Sequence, residues 1–105
     1  MIARIWHGWT LPRDADDYEM LIKVEVFEKV EKKKIPGYRG AQLLRHDHAD
    51  EVEFVSIIWF EKLENVASFV GDDLEKAHVP DRCKSKLLRF DTQVKHFEMK
   101  YETKK

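Results

Sequence analysis

The chain has 105 residues, enough for one domain whose core can fold without metals or disulfides. Nineteen basic side chains nearly balance twenty acidic ones, so no broad positive surface for nucleic acid is indicated. With 43% hydrophobic and 37% charged residues, the composition is typical of a soluble globular protein.

Cysteine content and hydropathy exclude several further classes of protein. Cys83 is the only cysteine, so an intrachain disulfide and a cysteine-rich metal site are excluded. The N-terminus lacks the apolar run and small-residue cleavage site of a signal peptide. No stretch approaches the roughly 18 consecutive apolar residues of a membrane span. These features predict a cytoplasmic protein with no membrane partner and no metal site.

The first predicted element is a strand over residues 2–9, rich in β-forming residues. Because side chains alternate along a strand, one face carries Ile2, Arg4 and Trp6, and the other carries Ala3, Ile5, His7 and Trp9. We expect the face of Ala3 to look towards the helices. His7 would then reach a cavity, whereas Trp6 and Ile2 would lie at an interface.

A helix is predicted over residues 14–34, because the segment has aspartates at its start and no Gly or Pro before Pro36-Gly37. Ile22, Val24 and Val26 alternate with charged residues as a strand would. The capping signals and a helical stripe through Met20, Val24, Phe27 and Val30 favour the helix.

Residues 38–60 predict a hairpin whose second strand is unusually apolar. His46-Asp47-His48-Ala49-Asp50 forms its polar turn, and the two histidines have no third ligand nearby for a metal ion. Residues 54–60 are almost wholly apolar, which is typical of a strand covered on both faces. The helices of a small one-sheet domain cover one face only, so a second copy of the sheet is expected on the other.

The remaining elements are a second helix and a last strand. Apolar residues from Leu63 to Val70 recur at helical spacing until Gly71, and residues 74–79 could add one more turn. Residues 83–90 are interpreted as a connector, and residues 92–101 alternate as the fourth strand. His96 is expected near the interface or solvent.

The predicted order is therefore βαββαβ, an α+β ferredoxin-like arrangement with an antiparallel sheet, in a single domain over residues 1–105. Together with the doubly apolar strand, this order predicts a homodimer packed through its sheet faces, with Leu44 adding to the interface.

Four stretches, MIARIW, IPGYRGAQLLR, EFVSIIWFEKLENVASFVGDDLEKA and VKHFEM, resemble the antibiotic biosynthesis monooxygenase superfamily over nearly the whole chain. The resemblance implies a dimeric α+β barrel with a cavity between the sheet and the helices of each protomer. Some members of the superfamily oxygenate aromatic compounds with molecular oxygen and no cofactor. Others bind and degrade heme, and many have no known activity.

The heme-degrading branch is marked by an Asn on strand one, a Trp on helix two and a His after that helix. Here His7, Phe69 and His78 stand near the Asn, Trp and His positions, in that order. Only His78 keeps the residue type of the heme-degrading branch. The missing Asn and Trp argue against this chemistry, and heme binding through His78 stays the less favoured alternative. Phe69 and His78 can share a pocket only if Gly71-Asp72-Asp73 breaks the helix.

The oxygenating branch implies an apolar pocket in which a phenolic substrate reacts as an anion with molecular oxygen as co-substrate. The resemblance suggests His7, His78 and Asn65 as catalytic residues and Trp59, Phe69 and Tyr18 as substrate contacts. None of them forms a specific motif. Trp59 is more often a packing residue at such a position, and a non-catalytic protein that binds a small aromatic or hydrophobic ligand is the alternative.

Overall fold

The computed structural model describes all residues from Met1 to Lys105 and contains one antiparallel sheet with helices packed on one face. The strands are β1 (Ile2–Thr10), β2 (Tyr38–Asp47), β3 (Val52–Phe60), β4 (Leu87–Phe90) and β5 (Lys95–Glu98). The helices are α1 (Ala15–Ile22), α2 (Lys29–Lys33), α3 (Leu63–Val70) and α4 (Asp81–Lys84). None of them is long and apolar enough to cross a membrane.

The sheet has the order β2-β3-β1-β4, with β5 also paired to β1. This confirms the predicted α+β, ferredoxin-like arrangement, in which the first and third strands are central. The predicted hairpin over residues 38–60 is also present, as β2 and β3. The sheet therefore presents two different faces, and the burial of β3 distinguishes them.

Residues of β3 alternate strictly between buried and half-buried. Phe54, Ile58 and Phe60 are buried against the helices, whereas Val55 and Ile57 point the other way and are only half-buried. We call the first side the helix face and the second the open face. Helix packing within the chain thus explains why β3 is apolar on one of its two sides.

The assignment of faces for β1 was wrong. β1 pairs with β3 from Ile2 opposite Phe60 to Thr10 opposite Val52, and directly opposed residues share a face. Ile2, Arg4 and Trp6 therefore lie on the helix face, and His7 lies on the open face. Both faces of β1 carry large apolar residues, so alternation alone could not show which one is buried.

The predicted first helix is confirmed but contains a wider turn. α1 and α2 are joined by a π-helical segment, Lys23–Glu28, in the stretch where strand-like alternation competed with the helical pattern. Within it Val24 is 48% exposed, while Val26 and Phe27 both pack on the core. The helix ends at Lys34, whose left-handed backbone precedes Pro36. Such π segments recur at functional sites.

The predicted fourth strand over residues 92–101 is present as the shorter β5, and part of the predicted connector is a further strand, β4. Opposite Trp6 and His7 the edge leaves the sheet, because the Asp91 turn takes over the hydrogen bonds there. The Trp6 indole donates to the Asp91 carbonyl at 2.8 Å, and the His7 amide donates to the Asp91 carboxylate at 3.2 Å. β5 then resumes pairing from Lys95 to Glu98.

The segment directly after α3, residues 71–80, is not helical. α3 ends at Val70, and Gly71 has a φ of 85°, a backbone conformation that favours glycine. The expected additional turn over residues 74–79 is instead an irregular loop with a single bridge between Lys76 and Gln93. This loop folds back towards the helix face and places His78 beside α3.

Candidate ligand-binding cavity

A cavity of about 70 Å³ lies between the helix face of the sheet and the helices. Its lining is mostly apolar and comes from every layer of the fold. β1 and β3 form the floor, the first helix and π segment form one wall, and α3 with the following loop forms the other. The lining includes Arg4, Trp6, Tyr18, Ile22, Val26, Ser56, Phe69, His78 and Cys83.

Arg4 is the only buried charged residue of the protein, with 5% of its surface exposed. Its guanidinium donates from Nη1 to the Leu74 carbonyl at 2.6 Å and from Nη2 to the Lys76 carbonyl at 3.1 Å. No carboxylate pairs with it, and burial lowers the pKa of Arg4 to about 10. The group is still charged at neutral pH, so the cavity holds a positive charge without a counter-ion.

His96 lies beside Arg4 on the helix face, which corrects its expected position near the interface or solvent. Its Nε2 is 3.1 Å from Arg4 Nη1. Burial and, next, the Arg4 charge lower the pKa of His96, so the neutral ring accepts this hydrogen bond. His96 therefore orients the guanidinium without neutralising it.

Tyr18 is fully buried in α1 and lines the same cavity. Its ring packs edge-on against Phe54 with the centroids 4.8 Å apart. Burial and, to a lesser degree, Cys83 raise the pKa of the Tyr18 hydroxyl, which therefore stays protonated. This hydroxyl has no hydrogen-bond partner in the protein. An unpaired buried donor of this kind is costly, and an acceptor in the cavity would relieve the cost.

A second, larger groove of about 240 Å³ adjoins the cavity. The two share the side chains of Val26, Phe69, Val70, His78 and Pro80, so these residues form the junction. Glu25, Lys29 and Lys33 line the outer groove. Two cations lie over the Phe69 ring. Arg4 of the cavity is 5.8 Å from the ring centroid, and Lys33 of the groove is 5.4 Å from it.

The junction confirms one condition derived from the sequence. Phe69 and His78 could share a pocket only if the helix broke near Gly71, and α3 does end at Val70. Phe69 lies in the last turn of α3, and His78 approaches from the loop with an exposed imidazole. Three of the six predicted site residues, Tyr18, Phe69 and His78, therefore line the cavity.

The other three predicted site residues lie elsewhere. His7 is on the open face, where its Nδ1 is 3.0 Å from Glu53 Oε2 and its ring stacks on Trp9 at 6.0 Å. Trp59 is also on the open face, and its indole donates to the Gln42 side chain at 2.7 Å. Neither side chain lines the cavity.

Asn65 has a structural position at the start of α3. Its side-chain oxygen accepts a hydrogen bond from the Lys62 backbone amide at 3.0 Å, which caps the helix. The same side chain lies directly against Gly37, where any Cβ atom would collide with it. Asn65 thus joins α3 to the turn before β2 and does not reach the cavity.

The polar residues that sequence reasoning missed are Arg4 and Ser56, which line the cavity, and His96, which contacts Arg4. A single Arg inside a strand is normally read as a surface residue, since arginines are almost never fully buried unless paired. The register of the β1–β3 ladder is the information that identifies Arg4 as buried, because it pairs Arg4 with Ile58 and so places Arg4 above the core. No group of three or more His, Cys, Asp or Glu residues is arranged to hold a metal ion.

The fold and the site together define an α+β ferredoxin-like protein with an internal cavity under its first and third helices. No family model matches the chain, and no curated protein matches it. Among solved structures it matches MhuD, a heme-degrader from Mycobacterium tuberculosis with two hemes bound in its active site. The match covers 99% of this chain and 100% of that chain, with a TM-score of 0.57 and 19% identity.

At this level of identity the likeness shows a shared fold alone. It supports the fold expected from the antibiotic biosynthesis monooxygenase superfamily. Membership of the superfamily and any shared activity stay predictions.

The unpaired hydroxyl of Tyr18 yields a stability prediction. Tyr18→Phe removes a buried donor without a partner and should raise the free energy of unfolding by about 1 kcal/mol. Urea unfolding followed by circular dichroism measures this change. The matched control is Tyr38→Phe, because the Tyr38 hydroxyl donates to Glu31 at 2.6 Å and its removal should not stabilise the protein. A loss of stability in Tyr18→Phe would show that the hydroxyl is already satisfied.

Proposed function

We propose that the protein binds a small aromatic compound in the cavity and oxygenates it with molecular oxygen, without a cofactor. The observation that carries the proposal is a mostly apolar cavity that contains one positive charge without a counter-ion, Arg4, and one unpaired hydroxyl, Tyr18. A phenol or hydroquinone suits such a site, because its ring takes the apolar walls and its oxygen takes the donors.

The chemistry needs a substrate that supplies its own electrons. A phenolate is electron-rich, and positive charge at its oxygen favours the ionised form. With a phenol that has a free para carbon, one oxygen atom of O₂ becomes the second carbonyl of a quinone. The other oxygen atom leaves as water with the phenolic and the para hydrogen, so the four-electron reduction of O₂ is balanced. Arg4 and Tyr18 would hold the anion, and the apolar walls would exclude bulk water.

An oxygen-uptake assay against a panel of phenols and hydroquinones tests this function. Wild-type protein should consume O₂ with at least one of them, one O₂ per substrate converted. Val26→Phe should lower the rate at least tenfold, because Val26 lies where the cavity meets the groove and a larger side chain would block it. Val24→Phe is the matched control on the exposed side of the same segment and should keep the wild-type rate.

Saturable binding of these compounds without O₂ uptake would leave a non-catalytic ligand-binding protein as the function. An absence of both binding and uptake would contradict either version.

Heme binding is the second candidate, and the position of His78 favours it. The imidazole stands at the junction of cavity and groove, and Lys29 and Lys33 of the groove could face the carboxylates of a porphyrin. A porphyrin does not fit the inner cavity, since even drug-sized ligands occupy pockets of roughly 300–1,000 Å³. It would have to lie in the outer groove, and we assign no reaction to it there.

Titration with hemin, followed at the Soret band, decides this candidate. The expected result for heme binding is a shift that His78→Ala removes and that His46→Ala keeps, because His46 is an exposed histidine at the far end of the hairpin. A shift that survives His78→Ala would exclude His78 as the ligand. No shift in wild-type protein would remove heme from consideration.

We also propose that two copies pack through their open faces. The open face carries Ile5, Val55 and Ile57 near its centre, and Leu44 and Phe97 are each 50% exposed on it. A sheet face with several exposed apolar side chains is typical of an interaction surface. A second copy related by a twofold axis would cover this face with the same face of its own sheet. His7, Glu53 and Trp59 would then lie at the interface.

Light scattering at micromolar concentration should give a mass of about 25 kDa, twice the 12.5 kDa of the chain. Ile57→Lys should give the single-chain mass, because an unpaired charge at the centre of a buried interface is strongly unfavourable. Met20→Lys replaces an exposed apolar residue of α1 and should leave the mass unchanged. A 12.5 kDa mass for wild-type protein would contradict the dimer. The predicted cytoplasmic location is unaffected by this outcome.

A further inference from the structure

The cavity contains a charged group that the rest of the protein does not neutralise. A buried charge normally has a partner of opposite sign, because its desolvation costs several kcal/mol. Four of the five exposed arginines, Arg39, Arg45, Arg82 and Arg89, pair with carboxylates, and Arg13 is exposed to solvent. The one buried arginine, Arg4, does not, and its protein contacts are two carbonyls and a neutral imidazole.

The guanidinium also has donors to spare. It offers five N–H groups, and the contacts to Leu74, His96 and Lys76 use three of them. The remaining two are on the neighbouring nitrogens Nε and Nη2. Arg4 lines the cavity, so an oxyanion there would meet charged donors that the protein itself leaves unused.

The groups along the way into the cavity include more lysines than carboxylates. Ionisable residues of the outer groove and the junction are Lys29, Lys33, His78 and Glu25. The only carboxylate, Glu25, is already paired with Lys29 and with Arg82, at 3.0 Å in each case. The chain as a whole has a net charge of −1, so this excess of cations is local. A local excess of positive charge raises the local concentration of anionic ligands.

Resting on the cavity of the proposed function, we propose that this cavity selects anions: its ligand is a one-ring aromatic compound whose single carboxylate or phenolate oxygen binds the free donors of Arg4. Arg4 is then a specificity-determining residue. The ring lies between Trp6 and Phe69, and the unpaired Tyr18 hydroxyl is available as a further donor. The same guanidinium holds the loop carbonyls of Leu74 and Lys76, so it has a structural role as well.

Isothermal titration calorimetry with matched probes separates recognition from structure. Benzoate and benzamide have nearly the same shape and differ in charge, and 4-nitrophenolate with 4-nitroanisole forms a second pair. Wild-type protein should bind the anion of at least one pair at least tenfold more tightly than its neutral partner. A preference in the first pair alone identifies a carboxylate ligand, and one in the second alone a phenolate.

The variants locate the preference. Arg4→Gln keeps a donor for the loop carbonyls but removes the charge, so the anion preference should disappear. Arg4→Lys should restore part of it. Lys33→Gln, which removes a charge of the outer groove, should keep it. A preference that follows Lys33 instead of Arg4 would overturn the proposal.

Two further outcomes stay informative if the Arg4 variants do not fold. The Nε–H resonance of Arg4 in ¹⁵N-labelled wild-type protein should shift on titration with the preferred anion and not with its neutral partner. Equal affinity for both members of each pair would refute anion selection while leaving the aromatic cavity intact. If no probe binds, the proposed cavity function fails together with the anion site.

Discussion

The continuous ladder between β1 and β3 is the constraint on which the site depends. Nine residue pairs, from Ile2 opposite Phe60 to Thr10 opposite Val52, fix the face on which each side chain lies. A shift by one residue would send every side chain to the other face. In the observed register Arg4 and Trp6 enter the cavity, and His7 is directed away from it. A polar group reaches the apolar core because the ladder places it there.

The site also requires a space between the sheet and the helices, which would otherwise pack directly against each other. Two irregularities provide it. The π segment Lys23–Glu28 widens the first helix where Val26 meets the cavity, and Gly71 ends α3 so that the following loop can fold back. A regular helix through either segment would continue packing on the sheet. The cavity and the outer groove meet at these two irregularities, with Phe69 between them.

Much of the fold follows from periodicity, and less of the site does. The predicted helix over residues 14–34, the hairpin and the helix from Leu63 are all present, since each has a periodic pattern or capping signals and a Pro or Gly boundary. The separation of β4 from β5 depends on hydrogen bonds from Trp6 and His7 to Asp91, which no local pattern shows. The placement of Tyr18 and Phe69 was accessible because they belong to correctly predicted helices, whereas His78 lies in a loop where a further helical turn was expected. Arg4 was not, because only the register shows that it is buried.

The likeness to a heme-degrader shows a shared fold alone, so the ligand proposed for this cavity rests on the side chains that line it. A fold shared at 19% identity preserves the sheet and its helices without preserving what lines the space between them. Here the Trp6 indole occupies the floor and leaves a volume of about 70 Å³, too small for a porphyrin. What remains is a buried guanidinium, a free hydroxyl and aromatic walls. These groups support the proposal of a small ring with one negative oxygen, because such a ligand would offer an acceptor to a charge without a counter-ion and to a hydroxyl without a partner.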